Sequence, residues 1–178
     1  MRESLQTDRL LLRRWRDSDR LPFQAMNADA RVMEFMPSLL SAAESDALVD
    51  RAQAHLDRHG FGPFAVELLE NCSFIGFIGL SIPNFDAPFM PAVEVGWRLA
   101  FDCWGRGLAT EGTRTVVRYG FQELDLDCLV SFTVPGNVRS QRVMEKIGMT
   151  HDPRDDFDHP RLPEGNPLRR HVLYRLKR

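Results

Sequence analysis

Two glycines that flank an arginine make residues 104–111 (WGRGLATE) the segment of this chain best suited to bind an anion. The segment follows a predicted strand and begins a predicted helix, whose first amides lack partners within the helix and attract phosphate. Gly105 and Gly107 leave room for a phosphate to approach the backbone, and Arg106 adds a formal charge. The spacing matches neither a Walker A loop nor the G-x-G-x-x-G turn. By itself, such a turn is also typical of a tight strand–helix connection.

Three further polar residues occupy positions whose neighbours predict their surroundings. Alternation along a strand places Glu94, Gly96 and Arg98 on one face, so Glu94 alone would be a solvent-facing residue paired with Arg98. Asn137 precedes a predicted helix, where asparagine is a favourable N-cap. Ser140 shares a helix face with apolar residues, so we expect its hydroxyl to point inward and to find a hydrogen-bond partner.

Four segments, in this order and spacing, resemble the GNAT (Gcn5-related) N-acetyltransferases. They are TDRLLLR (residues 7–13), VEVGWRL (93–99), WGRGLATE (104–111) and NVRSQRVMEKIGM (137–149). The turn is similar to the Q/R-x-x-G-x-G/A signature, and closer to the W-G-x-G-x-A-T-E form of the branch that includes the ribosomal-protein N-terminal acetyltransferases. Trp104 replaces the glutamine or arginine of the signature, which removes one side-chain donor near the phosphates. The similarity spans nearly the whole chain.

The resemblance implies acetyl-CoA as acetyl donor, bound where two middle strands of the sheet splay apart. Its pyrophosphate would lie on the amides from Arg106 to Thr110, and its pantetheine arm would pair with the edge of residues 97–99 as an added strand. The 3′-phosphate would contact one or more of Arg106, Arg139, Arg142 and Lys146, although the last three also fit a solvated helix face. The residues assigned to the cofactor are Trp97, Arg98, Leu99, Arg106, Gly107, Leu108, Ala109, Thr110, Asn137, Val143 and Lys146.

The resemblance also implies the chemistry. Acetyl transfer needs a neutral amine, a donor for the oxyanion and a stabilised leaving thiolate. The family pattern makes Glu94 the general base, directly or through water, which requires a raised pKa. In the branch a serine, here Ser140, hydrogen-bonds the leaving sulfur, because the two tyrosines, Tyr119 and Tyr174, lie elsewhere in the sequence. Neither a cysteine nor a serine has a visible activating base, so we expect direct attack in a ternary complex.

Composition limits the classes of protein. The 178 residues suit a single domain, 1–178. The 23 basic and 25 acidic residues give a net charge of −2, so we expect neither nucleic-acid nor membrane binding. Three widely spaced cysteines indicate a reducing, cytoplasmic compartment, and neither a signal peptide nor an apolar run of about 20 residues is visible. We expect no metal, since His55 and His59 lack a third ligand.

A mixed α/β fold must position these residues. The predicted order is β-α-α-β-β-β-α-β-α-β, and the resemblance implies one central, mostly antiparallel sheet, flanked by helices and splayed between its two middle strands. Predicted strands cover residues 10–12, 64–69, 74–81, 92–99, 129–134 and 172–176. Predicted helices cover 17–26, 28–35, 41–60, 109–124 and 137–147. Residues 152–169 are expected to be irregular and to line the acceptor site.

The sequence therefore predicts an enzyme that acetylates a primary amine, either a protein N-terminal α-amine or the amine of a small molecule. A homodimer is one assembly that we consider. The main alternative is a GNAT-fold module that binds acyl-CoA without turnover. A third and weaker interpretation is a nucleotide-binding α/β domain, which would bind NAD or ATP rather than CoA.

Overall fold

The computed structural model of the chain describes residues 2–178. Its strands are β1 (Ser4–Gln6), β2 (Leu10–Arg13), β3 (Pro63–Leu68), β4 (Phe74–Ser81), β5 (Glu94–Leu99), β6 (Cys128–Thr133), β7 (Thr150–His151), β8 (Phe157–Asp158) and β9 (Arg170–Lys177). Its α-helices are α1 (Arg20–Asn27), α2 (Ala42–His59), α3 (Leu108–Gln122) and α4 (Val138–Lys146).

The strands form one sheet in the order β1-β2-β3-β4-β5-β6-β9-β7, and β8 pairs with β9 beside it. The β5–β6 pair is parallel, whereas the other pairs among the described strands are antiparallel. This topology confirms the predicted mixed, mostly antiparallel sheet.

Helices cover both faces of the sheet. Phe77 of β4 packs edge-on against Phe23 of α1, with ring centroids 6.2 Å apart. Ile78, the next residue, points to the opposite face. There it meets α3 so closely that a Cβ on Gly112 would lie 2.5 Å from Ile78 Cδ1. Large apolar side chains such as Phe64 fill the space between these layers.

The sheet separates between β5 and β6. β5 pairs with β4 along all six of its residues. Its ladder with β6, within the described chain, consists of the single pair Glu94–Val130. The amide of Val130 also donates to the carbonyl of Val93 at 2.9 Å. Residues 96–99 therefore leave one β5 edge free of strand partners, which confirms the predicted splay.

Helix α2 has the ends that its sequence predicts. The amide of Ser41 donates to Glu44 Oε2 at 2.8 Å, and the amide of Glu44 donates to Ser41 Oγ at 3.3 Å, which completes a capping box. Gly60, with φ of 76°, ends the helix in the left-handed conformation.

The predicted helix over residues 28–35 is wrong, because this segment is a series of turns. The Asp29 carboxylate accepts the amide of Arg31 at 2.9 Å, and such a local side-chain bond competes with helix formation. The carbonyl of Asn27 accepts the amide of Leu40 at 3.1 Å, which closes the turns into a loop between α1 and α2. Residues 153–158 also depart from the expected irregular segment, since they form a 3₁₀ turn and strand β8.

Neither a membrane-spanning helix nor a metal-ligand cluster is found among the residues that the structure describes. None of the helices within 2–178 has the length and hydropathy that crossing a bilayer requires. The same residues contain no cluster of three or more His, Cys, Asp or Glu side chains that could hold a metal ion.

Candidate active site

A cleft of about 590 Å³ opens where β5 and β6 separate. Its walls are β5, β6, the glycine turn, α4 and the loop between α1 and α2. The cleft brings together all the predicted site residues except Arg106: Glu94, Trp97, Arg98, Leu99, Gly107, Leu108, Ala109, Thr110, Asn137, Ser140, Val143 and Lys146.

The two glycines give the turn its shape. Gly105 has φ of 73°, and Gly107, the N-cap of α3, has φ of 78°. A side chain at either position would be strained, and Gly107 leads directly into the first turn of α3, whose amides lack partners within the helix. The Arg106 side chain is exposed and pairs with Glu70 at 3.1 Å, so only its backbone belongs to the turn.

The opening hairpin of the chain braces this turn. Arg9 Nη1 donates to the carbonyl of Arg106 at 3.0 Å, and Arg9 Nε donates to Glu111 Oε2 at 2.7 Å. Glu111 Oε1 also accepts the Thr7 hydroxyl at 2.5 Å and the amide of Arg9 at 3.0 Å. Thr7 and Arg9 of TDRLLLR and Glu111 of WGRGLATE therefore form one hydrogen-bonded unit.

Glu94 lies at the point where the sheet separates. It is partly buried, and burial raises the pKa of its carboxyl from an ordinary value of 4.5 to about 7. Ser81 Oγ donates to Glu94 Oε2 at 3.5 Å, which opposes the rise in pKa. The expected ion pair between Glu94 and Arg98 is not formed, because Arg98 donates instead to Asn27 Oδ1 at 2.7 Å.

Asn137 caps α4 and connects it to β6. Asn137 Oδ1 accepts the amide of Ser140 at 3.2 Å, and its Nδ2 donates to Thr133 Oγ1 at 3.0 Å. The Ser140 hydroxyl has no hydrogen-bond partner within residues 2–178, contrary to our expectation, and Ser140 lines the cleft. Its hydroxyl is therefore free to bond a ligand.

The two tyrosines are engaged away from the cleft. Tyr119 donates to the carbonyl of Gly60 at 3.2 Å, and the Tyr174 hydroxyl lies 3.4 Å from Glu145 Oε1. Neither lines the cleft. The Ser140 hydroxyl is thus a neutral donor available in the cleft, whereas the two tyrosine hydroxyls are not.

Three basic residues of α4 line the cleft, and they differ in whether a carboxylate pairs with them. Arg139 pairs with Glu34, and its guanidinium carbon lies 4.8 Å from the centroid of the Trp104 ring. Arg142 and Lys146 form no ion pair with a carboxylate of residues 2–178. These two cations remain free to bind an anion.

Some of the cleft lies outside our sequence-based prediction. Ser81, Ser131 and Thr133 line it from β4 and β6, and Arg31 and Val32 line it from the loop. The register that places Ser81 opposite Glu94 depends on the tertiary fold, so sequence spacing gives no signal for it. Residues 152–169 are not among the lining residues of this cleft, so their role at the acceptor site stays a prediction.

Comparison with known proteins agrees with this geometry. Residues 9–150 match a family model described as acetyltransferase (GNAT) domain. The uncharacterized N-acetyltransferase YnaD of Bacillus subtilis is 27% identical over 161 residues, which are 90% of this chain and 88% of that protein.

Solved structures share the fold. An acetyltransferase from Agrobacterium tumefaciens superposes with a TM-score of 0.79 at 28% identity, covering 100% of this chain and 96% of that one. RimJ from Mycobacterium smegmatis, solved in complex with CoA-disulfide, gives a TM-score of 0.73 at 18% identity, covering 94% of this chain and 81% of that one. The chain belongs to the GNAT acetyltransferase family.

Proposed function

We propose that the protein transfers the acetyl group of acetyl-CoA to a primary amine by direct attack in a ternary complex. The observation that carries the proposal is the position of Glu94. Its carboxyl, with a pKa of about 7, lies in the cleft where β5 and β6 separate. A general base works best when its pKa is close to the operating pH. Membership of the GNAT family supports acetyl transfer as the reaction.

The residues of the cleft suit acetyl-CoA. Residues 107–110 offer the amides of a helix N-terminus to the pyrophosphate, and a Cβ at Gly105 would meet open space. Arg142 and Lys146 are free cations for the 3′-phosphate. The unpaired edge of residues 96–99 offers backbone groups to the amides of the pantetheine arm, as an added strand would use them.

Two protons leave the acceptor nitrogen during the reaction. Glu94 takes the first from the ammonium, directly or through water, and the neutral nitrogen attacks the thioester carbonyl carbon. The attacked nitrogen releases the second proton to water as the amide forms. Free backbone amides of β5 are donors for the oxyanion that forms. As the carbonyl re-forms, the C–S bond breaks, and the CoA sulfur leaves as a thiolate that accepts a hydrogen bond from Ser140. A thiolate is an adequate leaving group because thiol pKa values are near about 8.5.

The acceptor is a protein N-terminal α-amine or the amine of a small molecule. A module that binds acyl-CoA without turnover is the alternative. Binding alone would require neither a carboxyl with a pKa of about 7 in the cleft nor a free hydroxyl at residue 140.

The test measures CoA thiol release from acetyl-CoA with a panel of small amines and N-terminal peptides, together with acetyl-CoA binding by calorimetry. Release that depends on an amine supports the enzyme. Tight binding with no release for any amine supports the module. Thermal protection by NAD or ATP, but not by CoA, would refute both and favour the nucleotide-binding domain.

A further inference from the structure

Arg98 is a cation within the cleft that has no counter-ion among residues 2–178. It lies on β5, four residues after Glu94, so the two side chains share one face of the strand. Its Nη1 donates to Asn27 Oδ1 at 2.7 Å, and its Nη2 donates to Met36 Sδ at 3.3 Å. Among residues 2–178, no carboxylate oxygen lies within 4 Å of the Arg98 guanidinium.

The surroundings of Arg98 are fixed. Asn27 is fully buried, and its Nδ2 donates to Ser45 Oγ at 2.8 Å, so its Oδ1 is left to face the arginine. Phe77 adds a ring whose centroid is 5.7 Å from the guanidinium carbon. Burial lowers the pKa of Arg98 only to about 10, so the side chain is charged at neutral pH.

Arg13, by contrast, is buried and neutralised. Arg13 donates to Asp19 Oδ2 at 2.7 Å and to Glu67 Oε2 at 2.8 Å. Burying a charge without a partner costs roughly several kcal/mol, and the two carboxylates offset this cost for Arg13. Arg98 retains its unpaired charge at a place where a ligand, rather than the chain, can neutralise it.

The lining of the cleft is basic. Its one acidic residue is Glu94, and its basic residues are Arg31, Arg98, Arg139, Arg142 and Lys146. Arg31 and Arg139 are paired with Asp29 and Glu34, respectively. Arg142 and Lys146 lie on α4, whereas Arg98 contacts the end of α1 and the α1–α2 loop. A polyamine would therefore place its second ammonium in a cleft without a carboxylate for it.

We propose that Arg98 binds a carboxylate of the acceptor, so that the acceptor is an amine that also carries a carboxylate several bonds away. This inference rests on the proposed function, since it places the amine at Glu94. Glu94 and Arg98 are four residues apart on one face of the strand, so the reach of their side chains sets the distance between the amine and the carboxylate. A short ω-amino carboxylate, or a peptide N-terminus followed by an acidic side chain, supplies both groups.

The experiment compares acceptors that differ only in charge. One arm uses ω-amino carboxylates of four to six carbons and their carboxamides. The other arm uses N-terminal tetrapeptides with glutamate or glutamine as second residue. Wild type, Arg98→Gln and Arg31→Gln are measured for kcat and KM, and calorimetry on CoA-saturated protein gives the same affinity ratios without turnover. Arg31 is the matched control, because it lines the same cleft but is paired with Asp29.

A charge-assisted hydrogen bond changes affinity by about 10- to 100-fold. We expect wild type and Arg31→Gln to prefer the carboxylate by that factor in at least one arm, chiefly through KM. In Arg98→Gln the preference should fall towards one. The arm with the larger preference identifies the source of the carboxylate.

Equal use of carboxylate and carboxamide by wild type in both arms overturns the inference, whether or not the variant folds. A preference that survives in Arg98→Gln, or calorimetry in which no carboxylate binds better than its amide, also overturns it. Absence of thiol release with every amine contradicts the proposed function instead, and the calorimetric ratios then still decide the role of Arg98.

Discussion

Glu94 lies opposite Val130 at the single ladder pair that joins β5 to β6. The carboxyl with the raised pKa is therefore located where the sheet begins to separate and the free edge of β5 begins. The expected consequences for rate, stability and binding can each be measured.

The pH dependence of the rate depends on Glu94. Because only the carboxylate form accepts a proton, kcat/KM should rise with pH and level off above the Glu94 pKa of about 7. Glu94→Gln should lower kcat/KM by about 10²-fold or more above pH 7 and remove the inflection. Thiol release measured from pH 5.5 to 9 tests this, and a variant with the wild-type profile excludes Glu94 as base.

Ser81 provides the matched control for that profile. Its hydrogen bond to Glu94 favours the carboxylate and lowers the pKa, so Ser81→Ala should raise the pKa of Glu94. The inflection of kcat/KM should move to higher pH, and kcat/KM should still rise with pH below the inflection. An inflection that moves to lower pH, or that disappears, contradicts this relationship.

Glu94 should also cost the fold stability at neutral pH. Its pKa is higher in the folded state than its ordinary value of 4.5, so the folded state binds more protons between pH 4.5 and about 7. The free energy of unfolding therefore falls as pH rises through this window. Glu94→Gln should be more stable than wild type by roughly 1–3 kcal/mol at pH 8 and equal to it below pH 4.5. Urea unfolding at both pH values measures this difference, and equal stability at pH 8 contradicts it.

Arg9 should control acetyl-CoA binding without touching it. Arg9→Ala removes the donors to the carbonyl of Arg106 and to Glu111, so the glycine turn loses its brace. We expect the Kd for acetyl-CoA to rise by about tenfold, which corresponds to the loss of one to two net hydrogen bonds. Arg2→Ala is the control, because Arg2 pairs with Glu123 on the surface. An Arg9→Ala variant with wild-type affinity removes the hairpin from the site.

Two substitutions of Gly107 distinguish the effects of backbone strain and of charge on acetyl-CoA binding. A Cβ there meets only Arg9 Nη2, at 3.7 Å, but φ of 78° disfavours any side chain by about 1–2 kcal/mol. Gly107→Ala should therefore weaken acetyl-CoA binding modestly, whereas Gly107→Glu should abolish it by adding a negative charge beside the pyrophosphate. Calorimetry measures both variants. Equal affinities for the two would show that phosphate does not lie at this turn.

Arg13 should matter for stability rather than for function. Arg13→Met leaves the buried Asp19 without a cation and Glu67 with only the exposed Arg16, which costs about 3–5 kcal/mol. Arg16→Met is the control, since Arg16 is exposed and also bonds Glu67. Its loss should cost about 1 kcal/mol or less. Urea unfolding compares the two, and a similar small loss for both would contradict the importance of the buried cluster.

Local signals predict the parts of the fold that local chemistry determines. Ser41, Glu44 and Gly60 specify the ends of α2, and the structure has them there. Residues 28–35 have apolar side chains that resemble a helix face, but Asp29 bonds the backbone of its own turn. Strands β7 and β8, of two residues each, are too short to show a period, and both depend on pairing with β9.

The site likewise has parts that local sequence predicts and parts that depend on tertiary packing. The two glycines and the start of α3 predict the phosphate turn because its geometry is local. Sequence position predicts that Arg106 and Arg98 bind the cofactor, and the structure adds that the first side chain pairs with Glu70 and the second lies beside Asn27. Those partners are 36 and 71 residues away in sequence, so only the packed structure reveals them.

The separation of β5 from β6 has a consequence for the lifetime of the protein. Strands β1–β5 and β6–β9 meet along one ladder pair, so a molecule inserted at that seam acts as a brace between two half-sheets. A ligand that binds only the folded chain stabilises it in proportion to the logarithm of its concentration. If acetyl-CoA binds there as proposed, resistance to heat and proteases should rise with its concentration.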